Sequence, residues 1–69
     1  MKIVTHCRKW FDTRGFGFLA DPRGRKDIFA RKEDIISRQT FKRLLPNSRV
    51  ECEVIETERG QQAINIRPI

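Results

Sequence analysis

A chain of 69 residues supports one small domain, and its 15 lysines and arginines against 9 acidic residues give a formal net charge of +6. So short a chain buries only a modest fraction of its surface and leaves no room for a large enzyme cleft. The excess of positive charge points to an acidic partner, most simply nucleic acid, because each cation that neutralises a phosphate releases a counterion.

Residues 3–11 are predicted to be extended, although their apolar and polar residues alternate poorly. Residues 15–20 form a second strand. The stretch Asp21-Pro22-Arg23-Gly24 has turn chemistry, since Pro22 presets one dihedral and Gly24 tolerates a positive one. Residues 27–31 form a third strand, paired with the second as a hairpin. Residues 31–36 are predicted to make a single helical turn. Residues 37–48 are a long connection ending in a Pro46-Asn47-Ser48 turn. In the following segment Val50, Cys52 and Val54 alternate with Glu51, Glu53 and Ile55, as in a half-buried strand. Residues 58–60 turn into a last strand, 61–66. Five short strands without a long amphipathic helix predict an all-β chain closed into a five-stranded antiparallel barrel, one domain over residues 1–69.

Several classes are disfavoured. The apolar runs are a few residues long, against the roughly 20 that a spanning helix needs. Residues 1–7 lack the apolar stretch of a signal peptide, so a cytoplasmic location is expected, with no membrane partner. Cys7 and Cys52 fall in strand-like segments where a small apolar side chain fits, which favours buried thiols over a disulfide. His6, Cys7 and Cys52 come without a Cys-x-x-Cys pair, so neither a metal nor another cofactor is expected. His6 is the only histidine, and no Ser-His-Asp set appears, which argues against an enzyme and a small-molecule substrate. Asp12, Asp21 and Asp27 read better as solvated turn carboxylates than as a cation site.

The second and third strands carry the functional signal. Side chains two apart share one face of a strand. A consistent sheet therefore puts Leu19, Ile28 and Ala30 inside and points Phe16, Phe18, Phe29 and Arg31 outward together. The core is supplied with aliphatic residues, and the rings form an external platform surrounded by cations. Bases stack on such rings at roughly 1–3 kcal/mol each, while neighbouring cations hold phosphates.

Residues 14–19, Arg-Gly-Phe-Gly-Phe-Leu, also fit part of the ribonucleoprotein signature of RNA-recognition motifs. In that fold a strand and a helix precede the signature's strand, whereas only 13 residues precede Arg14 here. The chain instead resembles the cold-shock domain, a five-stranded OB-fold barrel. The matching pieces are residues 9–11, 15–19, 27–31, 41–44 and 58–66, in the family's order. The resemblance implies a single-stranded RNA or DNA binder. It assigns base stacking to Trp10, Phe16, Phe18, Phe29 and Phe41, and polar or phosphate contacts to Lys9, Asp27 and Arg59.

This sequence departs from the family pattern in four places. A stacking histidine becomes Arg31, whose planar guanidinium can still stack. A ring becomes Lys32, which leaves a phosphate contact. Gln61 stands where the family often has proline. The stretch between residues 9–11 and 14–18 is one residue shorter than usual. Either Arg8 falls on a normally apolar core position, or the strand slides by one, Cys7 fills the core and Trp10 takes the position of Phe11. A one-residue slip exchanges the faces of a strand.

The expected activity is sequence-tolerant binding of single strands, by a monomer that acts as an RNA chaperone by keeping weak structure unpaired. The alternative is a protein-interaction module that docks through the same aromatic face.

Overall fold

The computed structural model describes residues 1–38 and 42–69. Strands β1 (Lys2–Phe11), β2 (Phe16–Leu19) and β3 (Ile28–Arg31) are followed by a single 3-10 turn, Lys32–Asp34, and then by β4 (Arg49–Thr57) and β5 (Gly60–Pro68). The strands close into a barrel in the order β1-β2-β3-β5-β4. Four neighbouring pairs are antiparallel, as the sequence suggests, but the closing pair is parallel, with Phe29 opposite Gln62. A ring with an odd number of strands cannot alternate direction all the way round, so one parallel pair is unavoidable. A parallel bridge between Ile35 and Ile66 extends the closure past β3.

Alternation sorts the side chains as expected in β2 and β3. Leu19, Ile28 and Ala30 are fully buried, and they meet Cys7, Val50, Cys52, Ala63 and Ile66 in one core. The two cysteines are buried free thiols. Burial pushes the Cys52 thiol up to about 11 and raises that of Cys7.

The poor alternation of β1 has a local cause. Cys7 pairs with Leu19 and Lys9 with Phe18, so two steps along β1 match one along β2. Arg8 is the extra residue of this β-bulge; it stays exposed, its Nε 3.6 Å from the carboxylate of Asp27. A bulge absorbs one residue and reverses the faces beyond it. Cys7 therefore points into the core while Arg8 is spared burial. β5 contains a similar reset. Its pairing with β4 shifts between Glu51 and Glu53, next to Asn65, which has φ of 50°. Asparagine tolerates this left-handed conformation, and the reset lets Ala63 and Ile66 both face inward although they are three residues apart.

The β2–β3 connection is a turn as its composition predicts, closed by a 2.9 Å hydrogen bond from the Gly24 amide to the Asp21 carbonyl. Its side chains form a clasp across the barrel. The Asp21 carboxylate, fully enclosed, accepts hydrogen bonds from the Arg23 backbone amide at 2.8 Å, from Arg23 Nε at 3.1 Å and Nη2 at 3.0 Å, and from Gln61 Nε2 at 2.9 Å. Arg23 Nη2 also donates to Gln61 Oε1. A proline at position 61 would supply none of these bonds. The Arg23 hydrogen bonds, foremost, and then that of Gln61 hold the Asp21 carboxyl far below the usual carboxylate range. A carboxyl with a depressed folded-state pKa contributes stability above the ordinary aspartate value of about 3.9 and loses it progressively below. The urea midpoint should therefore fall from about pH 5 to about pH 2.5, and Asp21→Asn should reduce that fall. An identical pH profile in the variant would contradict the role given to the clasp.

Candidate nucleic-acid interface

The register of the strands builds two rows of outward side chains. Residues opposite one another in a ladder share a face. Lys9, Phe18, Phe29 and Gln62 are successive partners across β1, β2, β3 and β5, and form the first row. Phe11, Phe16 and Arg31 form the second, across β1, β2 and β3. The ring of Phe16 lies 5.3 Å from that of Phe11, 6.2 Å from Phe18 and 5.6 Å from Phe29, and the Phe18 and Phe29 rings are 6.0 Å apart, measured between centroids. These tilted and edge-to-face contacts hold the rings against one another while part of each stays open to solvent.

Phe16, Phe18 and Phe29 thus stand together where the alternation places them. Trp10 does not join them. Its partner is Gly17, on the inner face, and its ring packs half-buried against the core. The bulge at Arg8 is the reason: it turns Trp10 inward and Phe11 outward. Gly17 makes room for this arrangement. A Cβ there would lie 2.6 Å from the Trp10 ring and 2.2 Å from the Lys9 carbonyl oxygen, so only glycine lets the two strands approach. Phe11, 42 % exposed, stands with these rings instead, although the resemblance assigns it no stacking role. The shortened stretch before Arg14 was its signal, since a slip of one residue exchanges the two aromatic neighbours. Phe41 lies outside the described residues.

The cations flank the rings. Lys9 is exposed beside Phe18. The amide of Lys32 donates to the Gly15 carbonyl at 2.9 Å, and its aliphatic stem covers Gly15, where a Cβ would come within 2.7 Å of Lys32 Cδ. Gly15 has φ of 70°, so the tight turn and the lysine stem both favour glycine there. The stem thus runs over the turn before Phe16 while the side chain remains exposed. Arg59 sits in the two-residue β4–β5 turn and borders an open hollow together with Lys26, Phe18, Phe29, Arg31 and Gln62. Lys26 carries no motif that singles it out in the sequence. Asp27 borders the same hollow and is engaged with Arg8.

Arg31 is held in a defined way. Its Nε donates to Asp34 Oδ2 at 3.0 Å, three residues on along the 3-10 turn, and Gln62 Nε2 donates to the same oxygen at 3.2 Å. The Asp34 hydrogen bond raises the Arg31 pKa further, so the guanidinium is charged at every accessible pH. A row of rings with cations at its edges can stack bases by their faces and neutralise the phosphates that connect them.

The model of the 'Cold-shock' DNA-binding domain family matches residues 6–69 of this chain. The chain is 39% identical over 68 residues to the Cold shock-like protein CspA of Stigmatella aurantiaca, covering 97% of this chain and 98% of that one. It is 41% identical over 64 residues to the Cold shock protein CspV of Vibrio cholerae, covering 91% and 90%. Among solved structures, drosophila Unr CSD456 superposes with a TM-score of 0.79 at 25% identity, over all of this chain and 27% of that one.

Proposed function

The chain belongs to the 'Cold-shock' DNA-binding domain family, and from that premise we propose that it binds single-stranded RNA or DNA by stacking unpaired bases on Phe11, Phe16, Phe18 and Phe29. Lys9, Lys32 and Arg59 hold the phosphates. Binding of unpaired strands draws weakly folded RNA toward the open form by mass action, which is the action of an RNA chaperone. The protein does this as a cytoplasmic monomer with no catalytic step. No described helix is long and apolar enough to cross a membrane.

The observation that carries this reading is the cluster of four rings on one outer barrel face, neighbouring rings 5.3–6.2 Å apart and each left partly open to solvent by the described residues. A contiguous apolar patch left open on so small a domain marks a binding surface. Its cationic border distinguishes it from an ordinary protein-docking face.

Salt dependence tests the reading. Affinity for a single-stranded oligonucleotide should fall steeply as salt rises. Lys9→Ala and Lys32→Ala should each flatten the plot of log affinity against log salt by about 0.7 for every phosphate no longer neutralised. Phe16→Ala should lower affinity and leave the slope unchanged. Equal slopes in all variants would mean that these lysines do not touch phosphates, and a flat plot for the wild type would favour a protein-docking module.

A further inference from the structure

Stacking on the four rings does not by itself distinguish one base from another, because every base has a π-face. Sequence preference needs a group that meets a base edge in a fixed orientation. Arg31 has that property. It is the cross-strand partner of Phe16 on the same outer face, and it borders the open hollow with Phe18, Phe29 and Gln62, so a base stacked on the rings can turn its edge toward the guanidinium.

Two features set Arg31 apart from the lysines around it. Its charge is already offset by Asp34, whereas Lys9 and Lys32 have no ion pair among the described residues. An ion-paired guanidinium is the weaker phosphate anchor, and what remains to it is hydrogen-bond geometry. That geometry is braced. The Asp34 carboxylate is only 17% exposed and accepts from both Arg31 Nε and Gln62 Nε2 on one oxygen. An ionised carboxylate only accepts, so both donors are fixed toward it. With Nε engaged, the two Nη groups make no hydrogen bond to a described residue, and the side chain is 47% exposed.

We propose that Arg31, positioned by Asp34 and Gln62, selects guanine among the bases stacked on the platform, donating from its two Nη groups to O6 and N7. Guanine is the base with two adjacent acceptors on that edge. Adenine pairs an acceptor with a donor there, and the pyrimidines have no N7. The inference rests on the single-strand reading above and adds a base preference to it.

The test is competition of short oligouridylates against a labelled one, each carrying one central uridine, adenosine, guanosine, inosine or deazaguanosine with carbon in place of N7. Guanosine should improve binding about tenfold over uridine and adenosine, within the range of one bidentate contact. Inosine, which keeps O6 and N7, should retain the gain, and deazaguanosine should lose most of it. Arg31→Ala should still bind oligouridylate but no longer prefer guanosine, and Asp34→Ala should show a reduced preference. Equal binding of guanosine and deazaguanosine, or an undiminished preference in Arg31→Ala, overturns the proposal and leaves single-strand binding standing. If oligouridylate itself does not bind, the single-strand reading fails and the proposal falls with it.

Discussion

Leu19→Ala and Ile28→Ala are each expected to lower the free energy of unfolding by about 2–5 kcal/mol, the cost of a large-to-small change at a site that cannot collapse. Both side chains are fully buried and sit opposite one another on the inner face of the β2–β3 pair. A domain of this length has roughly 3–10 kcal/mol of stability in all, so either variant should be close to unfolded at room temperature. Phe18→Ala and Phe29→Ala, one face over on the same two strands, should remain folded, because their rings are half-exposed on the outer face, where they pack against each other and Phe16. Urea melts followed by circular dichroism measure this contrast. Unfolded phenylalanine variants beside unaffected aliphatic ones would mean that the inner and outer faces are exchanged.

Phe16→Ala, Phe18→Ala and Phe29→Ala should each weaken single-strand binding by about 1–3 kcal/mol, that is, roughly five- to 150-fold. Phe11→Ala belongs with them, since its ring is the nearest neighbour of Phe16 in the cluster. The rings touch, so losses in double variants should not add simply. Trp10→Ala should behave differently, lowering stability more than affinity. Its ring packs against the core, and its indole nitrogen is buried without a hydrogen-bond partner among the described residues. Fluorescence anisotropy of a labelled oligonucleotide is the suitable readout, because an inward tryptophan reports folding as much as binding. A folded Trp10→Ala protein that loses as much affinity as Phe18→Ala would return Trp10 to the stacking surface.

The parts of the fold legible in the sequence are those where period-two alternation runs unbroken. In β2 and β3 it separates Leu19, Ile28 and Ala30 from Phe16, Phe18, Phe29 and Arg31, and in β4 it picks out Val50, Cys52 and Val54. Alternation fails as a guide where the backbone inserts a residue. The bulge at Arg8 and the left-handed Asn65 each shift the phase without a change in residue type that declares it. The first of these decides whether Trp10 or Phe11 stands beside Phe16, so the grouping of Phe16, Phe18 and Phe29 was legible while the β1 edge was not. Gly17 carried a usable hint, since a glycine inside a strand marks a close backbone approach. The tether of Arg31 is of another kind. Asp34 is near in sequence, but Gln62 reaches it only because β5 closes the barrel against β3, a contact between residues far apart along the chain.

The central claim is that the outer face of β1, β2 and β3 stacks unpaired bases. The most direct measurement is an anisotropy titration of wild type and Phe18→Ala with one labelled single strand and with a duplex of the same length, at one salt concentration. In a duplex the base faces are occupied by neighbouring bases, whereas a single strand can lay them on the rings. The account predicts that the wild type binds the single strand well and the duplex only weakly, and that Phe18→Ala, still folded, narrows that difference by roughly five- to 150-fold. Equal affinity for both forms, or a difference untouched by Phe18→Ala, would contradict it.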